Sequence, residues 1–165
     1  MTTSQTSADL KKVIEETPTA FILSYKDGAE QNDPAVINRN TTPDCTRHLL
    51  PVSLAVSLGA PADFVIDNAE YQRLFASDLK VGGVQKSVIS NLIIDVEARK
   101  AAASTVSDMV FKDGEVLVME HSWFLDFTED GSKVKKVVEF CDSDSVHKLM
   151  AKVGQARQAE GPQNE

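Results

Sequence analysis

The sequence predicts an α+β fold, a curved antiparallel sheet covered by helices around a central pocket. Three observations carry this expectation. Helical patterning fills the first half of the chain, β patterning takes over at Val84, and the strands so marked run to about 10 residues, longer than the usual ~5–6. Long strands in a small sheet curl, and a curled sheet closed by helices encloses a conical cavity.

Leu10, Val13, Ile14, Phe21 and Tyr25 recur at helical spacing, the apolar stripe of a surface helix. Pro18 either kinks this helix or begins a fresh one capped by Thr17, and Gly28 closes the element. Asp33 caps a short helical turn begun by Pro34. Residues 45–50 form a short strand ended by Pro51. Residues 52–64 contain Gly59 and Pro61 without a clean period and read as a loop. Asp67 and Glu70 frame a capping box, followed by Tyr71, Leu74, Phe75 and Leu79 at helical spacing until Gly82-Gly83. Residues 84–96, 101–111, 115–127 and 134–141 are strands, the last two joined by the turn Glu129-Asp130-Gly131. Asp142-Ser143 caps a final short helix with Val146, Leu149 and Met150, stopping at Gly154. The polar end of the chain lacks aromatics, so one domain over 8–153 is expected, with 1–7 and 154–165 as flexible termini.

At 165 residues, 42% hydrophobic and 25% charged, the chain has the make-up of one globular domain. Its net charge of −8 argues against nucleic acid and anionic membranes as partners, both of which need a basic footprint. No apolar run suits a secretion signal or a membrane span, so a cytoplasmic location is expected. Cys45 and Cys141 form no metal-like spacing and read as reduced thiols.

Alternation then sorts the candidate site residues. On residues 115–127, Met119, His121, Trp123, Leu125 and Phe127 share the more apolar face, which points His121 inward. A histidine there is either a satisfied core residue or a pocket residue. On the last strand Val137, Glu139 and Cys141 share one face, but both faces are apolar enough that periodicity alone cannot choose. Arg47 and His48 are neighbours on a strand, so one faces in and one out. His48 is the expected inward residue, because an outward Arg is cheap to solvate. Asp108 shares a face with Ser104 and Val106, and Tyr25 is a core aromatic or a pocket hydroxyl. His147 lies on the last helix facing solvent. There is no nucleophile elbow, phosphate loop, dinucleotide fingerprint or His/Cys metal cluster, so cofactor-free proton transfer without a metal is the chemistry expected.

The element order, with Thr42-Pro-Asp-Cys-Thr-Arg-His-Leu-Leu-Pro51, Asn68-Ala-Glu-Tyr-Gln-Arg-Leu-Phe75 and the closing Val-Glu-Phe-Cys-Asp-Ser143, resembles the nuclear transport factor 2-like superfamily. Within it the chain is most similar to the SnoaL-like branch and its small fungal polyketide and meroterpenoid biosynthesis proteins. The resemblance implies a cone-shaped domain with Glu139 inward, where epoxide hydrolase-like members carry an acidic pocket residue. Ser24-Tyr25 looks like the Ser-Tyr pair of scytalone dehydratase, but Lys26 replaces that family's aspartate and Asp108 stands where one catalytic histidine would be. Residues 84–96 hold no histidine to match the other. The implied function is isomerisation, cyclisation or dehydration of a hydrophobic polyketide- or terpenoid-derived metabolite, with a non-catalytic metabolite-binding or protein-binding module of the same fold as the alternative. His48, His121, Glu139 and Asp108 are the expected catalytic set, and Tyr25, Arg47, Leu50, Phe75 and Trp123 the expected substrate contacts. A homodimer is expected through the outer sheet face, where Glu120, Ser122, Phe124 and Asp126 form a mixed stripe.

Overall fold

Helix α1 (Ser7–Gln31) forms because its apolar stripe recurs at helical spacing and Thr6 caps it, accepting the Asp9 N–H at 3.1 Å. The computed structural model describes residues 6–161. Pro18 does not restart the helix. It is fully buried, and one helix runs through it to Asn32, which takes the left-handed cap conformation (φ 50°). Gly28, expected to close the helix, lies inside it. It serves close approach instead: a Cβ there would sit 2.8 Å from the Phe75 ring.

After a 3-10 turn at Pro34–Asn38 capped by Asp33 come β1 (Thr41–Leu50), α2 (Val52–Ser57) and α3 (Asn68–Val81). The stretch expected to be a loop therefore holds a short helix, anchored by buried Leu54 and Ala55. Strands β2 (Gly82–Asp95), β3 (Lys100–Phe111), β4 (Val116–Phe127) and β5 (Val134–Cys141) follow, then α4 (Ser143–Glu160). Helix α4 continues past the expected stop at Gly154, and Lys80 and Arg157 tie its end to α3. The expected flexibility at 1–5 and 162–165 lies outside the described residues.

The sheet order is β1-β5-β4-β3-β2, antiparallel except for β1, which adds to β5 in parallel. Register shifts in β1, β2 and at the β4–β5 turn bend it, and Asn91 (φ 52°) takes up the left-handed geometry of the β2 irregularity. The outer edge of β1 is covered where Arg47 and Ile66 exchange backbone hydrogen bonds at 2.9 and 3.0 Å. Among the described residues no helix is long and apolar enough to cross a membrane.

Two apolar cores sit on the concave face. Helix α1 packs Ile14, Phe21 and Ile22 on Trp123, Leu125, Phe127 and Val137. Helix α4 packs Leu149 and Val153 on Met109, Phe111, Leu117 and Met119. Between them the inward row changes chemistry. Thr105 on β3, His121 on β4 and Cys141 on β5 lie side by side in register, with Glu139 one step away. This polar waist is where the site lies.

The tight turn at Gly131 locks α1 to the sheet. Thr17 Oγ1 donates to the Gly131 carbonyl at 2.8 Å, φ there is +72°, and a Cβ would collide with Ile14. We expect Gly131→Ala to cost about 2 kcal/mol in urea unfolding, from backbone strain plus overpacking. Gly114→Ala, with a similar φ but open space around it, should lose only the backbone share, about 1 kcal/mol. Equal losses would show that contact with Ile14 does not matter.

Candidate functional site

A cavity of about 520 Å³ lies over the polar waist, a size suited to a small organic ligand. Its floor is the inner face of β3, β4 and β5. Its walls are α3, α4, the end of α1, and the α2–Ile66 stretch with Leu58, Pro61 and Phe64. The lining is mostly apolar and aromatic, which implies an apolar ligand.

Glu139 is its chemical centre. The carboxylate is nearly buried, and it is satisfied rather than paired directly with a Lys or Arg. Tyr71 Oη donates to Oε2 at 3.1 Å, and the Cys141 thiol approaches Oε1 at 3.5 Å. His121 Nε2 lies 3.5 Å from the same Oε1. Tyr71 Oη is also 2.6 Å from Tyr25 Oη, and Arg47 Nη1 reaches Tyr25 Oη at 3.5 Å. A phenol has one proton to give. Tyr71 gives its proton to Glu139, so Tyr25 donates to Tyr71 and accepts from Arg47. The result is a one-way chain, Arg47 to Tyr25 to Tyr71 to Glu139, in which each bond polarises the next.

Arg47 is almost completely buried. Its Nη2 donates to the Ile37 carbonyl at 3.2 Å and to Asn38 Oδ1 at 3.0 Å, and its guanidinium lies 4.0 Å from the centre of the Tyr71 ring. Its Nε has no hydrogen-bond partner among the described residues. Burial, and then the Glu139 charge, push both phenol pKa values well above the ordinary range, so both tyrosines stay protonated. The Cys141 thiol is likewise pushed up, by burial first and Glu139 second, which keeps it from acting as a thiolate nucleophile.

Trp123 is oriented by donating Nε1–H to Thr105 Oγ1 at 2.9 Å, and the His121 ring stacks on it with centroids 5.3 Å apart. Tyr25 packs edge-on against Phe75 at 5.8 Å. His121, Glu139, Tyr25, Phe75 and Trp123 all line the cavity.

Four expected residues, Arg47, His48, Leu50 and Asp108, do not. Arg47 rather than His48 faces inward, with Cys45 and Leu49 beside it, so His48 and Leu50 fall on the outer face and Leu49 lines the cavity instead. The solvation argument for an outward Arg fails because Ile37, Asn38, Tyr25 and the Tyr71 ring satisfy it inside. His48 contacts Thr46 Oγ1 at 3.2 Å, and partial burial, with Lys136 nearby, lowers its pKa. Asp108 is on the outer face of β3, opposite Lys86 and Val118. Ser24, buried in α1, donates to the Phe21 carbonyl at 2.6 Å and does not reach the cavity. His147 is exposed and meets Ser57 Oγ at 2.8 Å.

Two functional side chains escaped sequence reasoning. Tyr71 was legible only as part of an apolar stripe. Asp78 stands seven residues further along the same stripe and lines the cavity. An aspartate at a core-facing helical position was the available signal. Among the described residues, His121, Glu139 and Cys141 bring possible cation-ligand atoms within 4.8 Å of one another, whereas His48 and Asp108 point away.

Solved structures share this architecture. Over 90% of this chain and 99% of its own, the BvnE pinacolase of Penicillium brevicompactum is similar, with a TM-score of 0.70 and 19% identity. PrhC from Penicillium brasilianum NBRC 6234 covers 90% of this chain and 94% of its own at TM-score 0.65 and 18% identity. AusH from Aspergillus nidulans covers 80% and 85% at TM-score 0.60 and 22% identity. This is the nuclear transport factor 2-like fold. A curated relative named monooxygenase dmxR10, from Cryptosporiopsis sp. (strain 8999), is 29% identical over 130 residues, 78% of this chain and 81% of its own length. No family model matches the chain.

If the tyrosine chain couples the two buried charges, removing one end should hurt more than removing both. We expect Arg47→Met to destabilise the protein by about 3 kcal/mol or more, since it leaves Glu139 buried without its distant cation. Arg47→Met combined with Glu139→Gln should lose less than the sum of the single changes in a double-mutant cycle of urea unfolding. Strict additivity would show that the chain carries no coupling.

Proposed function

We infer that the protein is an enzyme of secondary-metabolite biosynthesis that isomerises, cyclises or dehydrates a hydrophobic polyketide- or terpenoid-derived molecule by acid–base catalysis. The observation that carries this reading is Glu139, a buried carboxylate presented to an apolar cavity and oriented by Tyr71, with His121 3.5 Å away. Binding a hydrophobic ligand alone does not call for an ionisable pair, Glu139 with His121, set in an otherwise apolar wall.

In this mechanism the substrate's apolar body packs on Trp123 and Phe75, and its oxygen function lies over the polar waist. Glu139 accepts a proton from carbon next to a carbonyl, or from a hydroxyl. His121, held flat against Trp123, returns a proton to the same molecule. The tyrosine chain stabilises the Glu139 carboxylate and sets its orientation. His48 and Asp108 take no part. The names of the relatives support a biosynthetic role: one neighbour is a pinacolase, and pinacol-type rearrangements are acid-promoted.

Proton abstraction can be followed before the natural substrate is identified. A panel of lipophilic ketones in deuterium oxide should show enzyme-dependent deuterium uptake by mass spectrometry. Glu139→Gln should lower that rate per folded molecule by ~10²–10⁴-fold, measured at a temperature where the variant is folded even though Arg47 has lost its distant anion. Uptake unchanged in folded Glu139→Gln would remove the central residue of this reading, and a lost melting transition would make Glu139 structural.

The same reading includes a homodimer formed through the outer sheet face. Phe124 and Phe140 are 49% and 48% exposed there, with Val106 and Val118 nearby and His48 and Leu50 at the β1 edge. Large apolar side chains exposed together on one sheet face, among polar ones, support this reading. Sedimentation should give twice 18.0 kDa, and Phe124→Asp should shift the protein toward the monomer. A monomer in the parent protein at micromolar concentration would refute it.

A further inference from the structure

We propose that Asp78 is the acid that protonates the ligand's oxygen, facing the Glu139 carboxylate across the cavity, and that the ligand is an apolar molecule with a carbonyl or hydroxyl oxygen between them. This deepens the acid–base reading above and rests on it.

Asp78 follows Tyr71 by two helical turns, so both project from α3 to the cavity, with Phe75 between them. Its Oδ1 is sealed from solvent and has no hydrogen-bond partner among the described residues. No Lys, Arg or His nitrogen among them forms an ion pair with it either. An ionised carboxylate in that position would place part of its charge on a buried oxygen without a donor. The backbone argues the same way. Asp78 begins the last turn of α3, where the unpaired carbonyl ends of the helix disfavour negative charge.

The charges around it are few. Glu139 faces it from β5, and His121 faces the cavity from β4. Arg157 approaches from α4 but donates to Ser77 Oγ at 3.2 Å. Lys80 is engaged with Glu160. Burial first, and Glu139 second, raise the Asp78 carboxyl to about 7, with Arg157 opposing. Glu139 has the reverse environment, with the Tyr71 hydroxyl, the Cys141 thiol and His121 about it. Two carboxyl groups with contrasting surroundings thus face one cavity, the arrangement that separates an acid from a base.

The proton count closes without a further reagent. Glu139 takes a proton from carbon while Asp78 gives one to the oxygen. The C–H electron pair becomes the enol double bond, and the C=O π pair becomes the new O–H bond. Return of a proton to another carbon completes an isomerisation and restores both groups. Where the protonated oxygen is a hydroxyl, it leaves as water.

Two measurements test this on the full chain. Carboxyl ¹³C NMR of aspartate-labelled protein, with Asp78 assigned by Asp78→Asn, should show Asp78 titrating near 7 and moving down in Glu139→Gln. Titration in the ordinary carboxylate range would overturn the proposal. The second uses the chain's single tryptophan, Trp123, whose fluorescence reports occupancy of the cavity. Propiophenone should bind about tenfold more tightly than propylbenzene at pH about 5.5 and lose that preference by about 8.5, as one hydrogen bond from the acid is lost. Asp78→Asn, which still donates, should keep the preference at both pH values, and Asp78→Leu should show none. A pH dependence that persists in Asp78→Asn but vanishes in His121→Gln would transfer the role to His121. Failure of the two readings is distinguishable. A normal Asp78 titration with turnover lost in Glu139→Gln defeats this proposal alone, whereas an Asp78 near 7 without any deuterium uptake defeats catalysis and leaves the neutral acid standing.

Discussion

A buried cation and a buried carboxylate, joined through two tyrosines, constrain the rest of this structure. Removing Arg47 and Glu139 from water costs several kcal/mol each, and they do not meet as an ion pair that would recover it. Recovery comes through Tyr25 and Tyr71, whose hydroxyls carry the polarisation from one charge to the other. Those four side chains belong to β1, α1, α3 and β5, and Arg47 also grips the turn at Ile37 and Asn38. Each element must therefore sit within hydrogen-bond reach of the next. The aromatic contacts of Tyr25 with Phe75, Tyr71 and Trp123 fill the space that this geometry leaves.

The cavity follows from how the apolar cores are divided. One core lies under α1 and the other under α4, and the waist between them carries Thr105, His121, Glu139 and Cys141 in place of large aliphatics. Polar side chains there cannot interdigitate into a dry core, but they can satisfy one another while facing a void. Stability rests on the two ends and chemistry on the middle. A ligand can then meet the waist without unfolding either core. The short α2 and the stretch to Ile66 close the remaining side, held to β1 by the backbone bonds between Arg47 and Ile66.

Residue pattern and tertiary context contributed differently to the site. Alternation on β4 is a local property of an extended chain, so Met119, His121, Trp123, Leu125 and Phe127 could be assigned to the inner face from sequence alone, and the structure places them there. The same logic put Glu139 beside Val137 and Cys141, with the family resemblance choosing the face. It failed on β1. Arg47 and His48 alternate equally well in either register, and solvation favours the wrong one unless the interior partners are known. Asp78 is legible only by its helical spacing from Tyr71: an aspartate near the end of an amphipathic helix otherwise reads as surface until α4 is packed beside it.

The sequence by itself determined the α+β class, the inward row of β4 and the element order apart from the short α2, because helical and strand periodicities are written into consecutive residues. It also determined the break in apolar character at His121. Tertiary structure alone decided that Arg47 turns inward, that Tyr71 and Tyr25 touch, and that Asp78 shares a cavity with Glu139. Those outcomes depend on groups far apart in sequence, 22 residues between Arg47 and Tyr25 and 68 between Tyr71 and Glu139. The energy of a buried charge is set by what surrounds it in space, and no local pattern carries that information.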